Sequence, residues 1–283
     1  MPKKKGNRRT TGKEQYYTLP EVVDLCVNTA MFYYKPGQRM LEPAGGTGEF
    51  IEGMLRAGVD KSLITSTDIE PKHALVKKAN FLAEDFDDDE FFTLTNPPFG
   101  RANSLSIPFF NRAALVSSYI GFLIPVSWRR WSVIDRLDQQ FHLVEDVEMP
   151  PVSFYNYGID GSVLPYDGGL LKTCFQLWER RDYHRKLIAK NVEDRNYIVS
   201  CSPEEADVAI TFFGHRSGRI ETEFVRKPNT TKNYFKIKDQ SVIEALNSVD
   251  YTRFNKNNAY TASLSKPEIR FLLNEYYDNL DKS

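Results

Sequence analysis

The residues best suited to chemistry in this chain form the tetrapeptide Asn96-Pro97-Pro98-Phe99, which follows an apolar run from Phe91 to Thr95. The prolines fix the backbone and remove two N–H donors, so the carbonyl groups of Asn96 and Pro97 are presented as acceptors. The Asn96 side chain adds an acceptor, and Phe99 adds a flat apolar face. Acceptors beside an aromatic ring suit a planar group that carries an NH2, such as a nucleobase or an amide. The plain alternative is a proline turn after a core strand.

A glycine-rich stretch, Glu42-Pro43-Ala44-Gly45-Gly46-Thr47-Gly48-Glu49-Phe50, lies between a predicted strand (Arg39 to Leu41) and a predicted helix (Ile51 to Ala57). Glycines permit φ > 0 and add no side chain, so such a turn brings the backbone close to a ligand. A phosphate site would favour lysine or bare amides here. The carboxylate of Glu42 at the strand end instead suits a cationic group.

Two further acidic positions are candidates for ligand contacts. Asp68, followed by Ile69, comes 20 residues after Gly48 at the end of a predicted strand, Leu63 to Thr67. An acid at that distance from a glycine turn typically holds ribose hydroxyls. Glu70 is the competing candidate. Further on, Asp85 and Phe86 are candidates for an adenine pocket, in which the carboxylate would accept the amino group and the ring would stack.

The elements that must position these residues alternate between helices and strands. After the tetrapeptide the sequence predicts a helix (Ile107 to Ser118), a strand (Tyr119 to Pro125), a helix (Trp128 to Leu137) and two last strands of the same sheet (His142 to Met149 and Leu171 to Glu179). An aromatic, glycine-rich insert from Phe154 to Gly161 separates those two strands. Long loops on a rigid scaffold commonly carry binding residues.

Both ends of the chain differ in composition from its middle. Residues 1–13 contain six basic side chains and no acid, which is typical of a disordered basic arm. Beyond residue 182 we predict strands from Asp207 to Phe213 and from Tyr234 to Lys238, then two amphipathic helices. The second helix begins with the capping box Ser265-Lys266-Pro267-Glu268. Residues 214–238 carry a net charge of +5, which is usually a solvated face but would also suit a DNA-facing module.

Composition excludes several classes of protein. With 41% hydrophobic and 27% charged residues and a net charge of −1, the chain is an ordinary globular protein. No apolar run is long enough to span a bilayer, and the N-terminus lacks the apolar region of a signal peptide. Three scattered cysteines and four dispersed histidines predict neither a metal site nor a disulfide framework, so we expect a cytoplasmic protein.

Taken together, these motifs resemble those of the S-adenosylmethionine-dependent, amino-directed DNA methyltransferases. They are most similar to the class that modifies the N6 amino group of adenine and carries Asn-Pro-Pro-Phe. The resemblance covers residues 14–180 and implies a Rossmann-like class I methyltransferase fold with a seven-stranded, mostly parallel sheet. It divides the chain into the arm, a catalytic domain (14–181) and a small α+β appendage (182–283) for target recognition or DNA binding.

The resemblance also implies roles for individual residues. Residues Glu42, Pro43, Ala44, Gly46, Gly48 and Phe50 would bind S-adenosylmethionine, with Asp68 and Ile69 at its ribose and Asp85 and Phe86 at its adenine ring. Gln15-Tyr16-Tyr17-Thr18 is similar to the segment that covers the methionine end, which makes Tyr17 and Thr18 cofactor residues. The family usually has Thr-Pro there, whereas this chain inserts Leu19.

The mechanism implied for this family begins with extrusion of the base from the duplex. Phe99 would stack on the base, while the Asn96 side chain and the Pro97 carbonyl accept its amino hydrogens and the nitrogen attacks the sulfonium methyl in line. That chemistry needs no metal, general base or covalent intermediate. In the insert, Tyr155 and Tyr157 are expected near the base. The expected phosphate contacts are Arg226, Lys227 and Lys232.

Three alternatives stay open. Glutamine-directed protein methyltransferases share Asn-Pro-Pro-aromatic, and a side-chain amide presents the same NH2 group. Guanine-directed RNA methyltransferases use a similar loop. The third alternative is a binding protein with a relic catalytic fold, against which the intact Glu42, Asp68 and Asn96 argue.

Overall fold

The computed structural model describes residues 16–86, 90–157, 163–165, 171–257 and 261–280. The predicted basic arm lies outside these ranges. The described residues form two compact units: the first ends at Val126 and resumes over Arg136–Arg185, and the second combines Ser127–Asp135 with the residues from Lys186 onward. The chain thus crosses between units three times, which the single predicted boundary at residue 182 does not describe.

The first unit contains ten strands. In chain order they are β1 (Tyr17–Thr18), β2 (Met40–Glu42), β3 (Ile64–Asp68), β4 (Lys77–Lys78), β5 (Phe91–Thr95), β6 (Ser117–Pro125), β7 (Phe141–Glu148), β8 (Phe154–Tyr157), β9 (Val163–Pro165) and β10 (Thr173–Arg180).

Seven of these strands form one sheet in the order β4-β3-β2-β5-β6-β10-β7. All pairs from β4 to β6 are parallel, and β10 is antiparallel to both of its neighbours. This confirms the predicted Rossmann-like α/β fold with a seven-stranded, mostly parallel sheet. The strand order reverses between β2 and β5, which is where open α/β sheets bind ligands.

Helices of the first unit pack on this sheet. They are α1 (Pro20–Met31), α2 (Glu49–Arg56) and α3 (Ser106–Ala113). On α1 the buried side chains recur at helical spacing, and a Cβ on Gly53 of α2 would lie 2.5 Å from Val23, so the two helices approach closely. The strand β5 is buried along its whole length, including Thr93 and Thr95, as its run of aromatic, aliphatic and β-branched residues predicts.

Two predicted helices are shorter than expected. The helix predicted from Ile107 to Ser118 ends at Ala113, because Ser117 already belongs to β6, where its hydroxyl lies 2.7 Å from that of Thr93 on β5. The helix predicted from Trp128 to Leu137 is only a 3-10 turn and a single helical turn, α4 (Trp131–Ile134). Between them Arg130 has an extended backbone with ψ of 134°, which interrupts any continuous helix.

A second, small sheet joins the N-terminal segment to the aromatic insert. Its order is β1-β8-β9, with Tyr17 opposite Tyr155 and Thr18 opposite Phe154. Both pairings are antiparallel. The insert therefore supplies two strands, and the first of them holds the segment that precedes α1.

The second unit is an α+β structure. Its strands β11 (Ile198–Ser200), β12 (Val208–Thr211), β13 (Ile220–Glu221) and β14 (Lys232–Ile237) form an antiparallel sheet in the order β11-β14-β12-β13. Its helices are α5 (Ser241–Ser248), α6 (Thr252–Asn255) and α7 (Lys266–Leu280), one more than predicted.

The core of this unit lies between sheet and helices. It includes Phe235 of β14, Leu246 of α5 and Leu272 of α7. Trp131 of α4 packs edge-on against Phe254 and Phe271, with ring centroids 4.8 and 5.1 Å away.

Three local expectations concern capping, membranes and metals. The predicted capping box is present in that the Ser265 N–H donates to the Glu268 carboxylate at 2.7 Å. Among the described residues, no helix combines the length and apolar character that a bilayer crossing requires. Within the same ranges, no group of three or more His, Cys, Asp or Glu side chains is placed to hold a metal ion.

Candidate active site

A cavity of about 470 Å³ lies in the first unit at the carboxyl ends of β2, β3 and β5. Its size falls within the range of small-molecule sites, and its position is the point where the strand order reverses. Its walls are formed by residues 16–18, 42–47, 49–50, 68–70, 79–82, 96–98, 105 and 109. The structure therefore brings together the ends of three parallel strands that carry the predicted motifs.

The glycine turn connects β2 to α2 and is held against the end of β3. The N–H of Gly45 donates to the Thr67 carbonyl at 3.0 Å, and the N–H of Gly46 donates to Oδ2 of Asp68 at 2.9 Å. The other carboxylate oxygen of Asp68 accepts from the N–H of Glu70 at 2.7 Å. Asp68 is thus oriented at the edge of the cavity by two backbone groups.

Gly48 ends this turn in a backbone conformation that suits only glycine. Its φ is +89°, and α2 begins at the next residue. A Cβ at this position would also lie 2.4 Å from the ring of His73. The sequence predicted Gly48 as a cofactor residue, but Gly48 does not line the cavity. Its backbone conformation instead allows the turn to close before α2.

Glu42 is a buried carboxylate in the cavity wall. Its Oε1 accepts hydrogen bonds from the N–H of Ala44 at 2.9 Å and from the Thr95 hydroxyl at 2.5 Å. Burial raises the pKa of Glu42 to about 8, although these two hydrogen bonds favour the ionised form. A cationic ligand group beside Glu42 would favour its carboxylate form again, which suits the role that the sequence predicts.

Asn96 follows β5 and has its amide held in one orientation. Its Nδ2 donates to the carbonyl of Tyr16 at 2.8 Å and to Oγ1 of Thr18 at 3.1 Å. A carbonyl can only accept, which fixes the nitrogen on that side. Oδ1 of Asn96 is buried and has no hydrogen-bond partner within the ranges that the structure describes. A buried acceptor of this kind is ready to receive a donor from a ligand.

The rest of the tetrapeptide lies close by. Pro97 and Pro98 line the cavity. Phe99 is buried and does not line it; its ring stacks on Tyr16, with centroids 5.4 Å apart and planes inclined by 25°. The rings of Phe99 and Phe154 meet in an edge-on arrangement, with centroids 6.1 Å apart and planes inclined by 62°.

The two residues predicted for the adenine ring, Asp85 and Phe86, do not line the cavity. Asp85 is exposed, and Phe86 packs behind the cavity against Phe81 and Phe91, so neither lines it. Asn80, Phe81 and Leu82 line the wall instead, together with Leu105 and Phe109. The only sequence signal for them is an Asn directly before two apolar residues, and Oδ1 of Asn80 caps the N–H of Leu82 at 3.2 Å. Ile69, the predicted ribose neighbour, lines the cavity while 67% exposed.

Tyr155 contacts the glycine turn. Its hydroxyl donates to Glu49 at 2.9 Å and lies 3.4 Å from Oγ1 of Thr47. Pairing opposite Tyr17 places the two rings 5.5 Å apart, and the Lys72 ammonium lies over the Tyr17 ring. The structure therefore places Tyr155 beside the predicted cofactor loop, whereas the sequence predicted it near the base. The side chain of Tyr157 lies outside the described part of the chain.

Two of the three predicted phosphate contacts are engaged within the second unit. Nη1 of Arg226 donates to the carbonyl groups of residues 203, 204 and 206 at 2.7–3.2 Å. The ammonium of Lys232 forms an ion pair with Glu221, and both side chains are largely buried. Lys227 is exposed. Arg226 is also exposed, so its side chain lies on the surface while it donates to these carbonyl groups, and the sequence alone could not show these contacts.

Comparison with known proteins yields likeness in structure alone. No model of a known protein family matches the sequence, and no curated protein sequence matches it. The structure resembles a protein assigned as the modification subunit of a type I restriction enzyme from Vibrio vulnificus (16% identity, TM-score 0.44, covering 61% of this chain and 46% of that one). Identities and TM-scores this low leave substrate and activity to be argued from the site.

Two further solved structures show the same likeness. They are TrmN from Thermus thermophilus (16% identity, TM-score 0.41, covering 57% of this chain and 49% of that one) and magnesium protoporphyrin IX methyltransferase from Synechocystis with bound S-adenosylmethionine (10%, 0.41, 57% and 79%). The chain spans about half the length of the first two proteins named.

Gly48→Ala should lower the free energy of unfolding by about 1–3 kcal/mol, because it adds both backbone strain and a clash with His73. The double variant with His73→Ala should recover the part due to the clash and keep the part due to strain. His73→Ala alone is the control: it removes the contact with Glu52 and the hydrogen bond that Nδ1 of His73 accepts from the N–H of Leu75, so its own cost is subtracted from that of the double variant. Thermal and denaturant unfolding measure all three; a Gly48→Ala variant as stable as the wild type would refute this account of the turn.

Proposed function

We propose that this chain is an S-adenosylmethionine-dependent methyltransferase that modifies the exocyclic amino nitrogen of adenine in DNA. The observation that carries the proposal is the Asn96 amide. Its nitrogen is fixed by Tyr16 and Thr18, and its buried Oδ1 has no partner among the described residues. An acceptor oriented in this way, in the wall of a cavity with acidic lining, suits a substrate that presents an NH2 group beside a cationic cofactor.

The lining of the cavity fits the chemistry of that cofactor. Four acidic residues, Glu42, Glu49, Asp68 and Glu70, line the cavity, which suits a molecule with an ammonium and a sulfonium group. Asp68 is oriented to accept hydrogen bonds from ribose hydroxyls. We assign the adenine ring to the apolar wall of Ile69 and Phe81, in place of Asp85 and Phe86. We assign the methionine end of the cofactor to Tyr17, Thr18 and the glycine turn, together with Phe50.

The protein's part in the reaction follows from the acceptors at the end of β5. Bound cofactor supplies an electrophilic methyl group. Oδ1 of Asn96 and the carbonyl of Pro97 would accept the two amino hydrogens of the base, which raises the electron density on its nitrogen and directs the lone pair away from the ring. These contacts strengthen as the nitrogen becomes tetrahedral, so they stabilise the transition state more than the bound substrate.

The choice of an adenine base over other amino groups rests on the neighbours of Asn96. Phe99 offers a ring on which a base can stack, and the second unit carries exposed basic side chains such as Arg216 and Lys227. A glutamine side chain in a protein or a guanine in RNA presents the same NH2 group. These substrates are therefore the competing outcomes of the test.

The test is methyl transfer by the full chain from methyl-labelled S-adenosylmethionine to unmethylated genomic DNA, structured RNA and a glutamine-containing peptide. We expect label in DNA alone, recovered as N6-methyladenine after digestion to nucleosides. Label only in RNA or peptide would transfer the assignment to one of the alternatives. If calorimetry detects no binding of S-adenosylmethionine, the proposed function is wrong.

Asn96→Ala should lower kcat at least about a hundredfold while leaving the affinity for S-adenosylmethionine nearly intact, because its contacts matter most in the transition state. Asp68→Ala should show the opposite pattern, with cofactor affinity reduced about ten- to a hundredfold through lost charge-assisted hydrogen bonds. Calorimetry and steady-state kinetics on the two variants give the comparison. Equal loss of cofactor affinity in both would mean that Asn96 only supports the fold of the loop.

Glu42 makes cofactor binding depend on pH. Because its pKa is about 8 in the free protein, Glu42 carries a proton at neutral pH, and a cationic ligand must release that proton. Affinity should therefore rise by up to about tenfold per pH unit between about pH 6 and pH 8, and level off above. Calorimetry in two buffers of different ionisation enthalpy measures the proton release.

Glu42→Gln is the matched control for this pH dependence. Its amide oxygen can accept the same hydrogen bonds from Ala44 and Thr95, and it cannot ionise. The variant should bind S-adenosylmethionine more weakly and release no proton from this position. An unchanged pH profile in Glu42→Gln would show that the dependence comes from the ligand.

Lys227→Ala should reduce the slope of log affinity for duplex DNA against log salt concentration by about one unit, because one phosphate contact is lost. Affinity should fall alike for all DNA sequences. Arg226→Ala is the contrasting variant: it leaves three carbonyl groups without their donor and should lower the stability of the protein. If the affinity of the wild-type protein for duplex DNA does not change with salt concentration, the second unit takes no part in DNA binding.

A further inference from the structure

The N-terminal segment covers the face of Phe99. The rings of Tyr16 and Phe99 stack with centroids 5.4 Å apart, and Phe154 closes the same cluster at 5.5 Å from Tyr16. A base held between two rings needs about 7 Å between them, twice the contact distance of about 3.5 Å. No base fits between Phe99 and Tyr16 as they stand.

Tyr16 also contacts Asn96, the predicted acceptor of the amino group. The backbone carbonyl of Tyr16 accepts from Nδ2 of Asn96 at 2.8 Å. Tyr16 therefore touches both side chains that the proposed function assigns to the base. Its ring lies on Phe99 in the way that a planar substrate would.

We propose that Tyr16 occupies the base position on Phe99 in the free protein, and that its ring leaves when the extruded base enters. This inference rests on the proposed function, since it concerns the substrate position of the same site. Tyr16 is then a positioning residue: it keeps the site ordered and dry until a base displaces it.

The attachment of the segment allows this exchange. Tyr16 precedes β1, whereas Tyr17 and Thr18 pair with β8 and the N–H of Leu19 donates to the carbonyl of Ser153 at 3.0 Å. One residue can therefore move while the small sheet stays intact. When the carbonyl of Tyr16 leaves, Oγ1 of Thr18 still accepts from Asn96 at 3.1 Å, so the amide keeps its orientation.

An equilibrium titration tests this exchange without turnover. Phe99→Trp places a fluorophore in the base position, and 2′-deoxyadenosine is the probe whose stacking quenches it. The double variant Phe99→Trp/Tyr16→Ala should bind 2′-deoxyadenosine about three- to tenfold more tightly than Phe99→Trp alone. This factor corresponds to the free energy of one aromatic stack, because the Tyr16 ring no longer competes with the nucleoside. Phe99→Trp/Tyr16→Phe keeps the ring and should match Phe99→Trp.

Kinetics on the full chain give the second readout. With genomic DNA as substrate, Tyr16→Ala should lower KM for DNA about three- to tenfold with kcat unchanged, and Tyr16→Phe should resemble the wild type. Equal nucleoside affinity with and without the Tyr16 ring overturns the inference. A lower kcat in the single variant Tyr16→Ala also overturns the inference, because it would mean that Tyr16 stacks on the bound base. DNA methylation by the wild type separates this failure from failure of the proposed function.

Discussion

The buried carboxylate of Glu42 joins the parts on which the site depends. It ends β2, accepts a hydrogen bond from the first residues of the glycine turn, and accepts another from Thr95, the last residue of β5. Asn96 is the next residue along the chain. One side chain thus connects the glycine turn to the loop that the proposed function assigns to the amino group, at the point where the sheet order reverses. Because the group is buried, its charge state is also sensitive to what the cavity contains.

Most of the sheet and the order of the motifs could be predicted from local sequence. The largely apolar, β-branched run of β5 and the strand–glycine–helix pattern around Gly48 are properties of neighbouring residues, and both are present. Glu42, Asp68 and Asn96 line one cavity because the neighbouring parallel strands β2, β3 and β5 all end at the same edge of the sheet. Element boundaries were less predictable. Ser117 and Ser118 carry no pattern that separates the end of a helix from the start of a strand.

The remaining differences arise from contacts between distant parts of the chain. Tyr155 contacts the glycine turn because β8 pairs with β1, and the local sequence of neither strand indicates this pairing. The strand β4 has two residues and no hydrophobic pattern, so the wall that follows it, Asn80 to Leu82, was not foreseen. The net charge of +5 over residues 214–238 does not show which basic side chains have partners within the unit. Glu221 pairs with Lys232, and backbone carbonyls hold Arg226.

The contribution of Ser127–Asp135 to the second unit bears on how this protein is made and how it could have evolved. Trp131 leaves the ribosome more than a hundred residues before Phe254 and Phe271, the aromatic partners between which it packs. The second unit therefore cannot complete its core during synthesis until α6 and α7 have been made. Nor can a single recombination near residue 182 exchange the whole unit for another, since Ser127–Asp135, with Trp131, would stay behind in the first part of the chain.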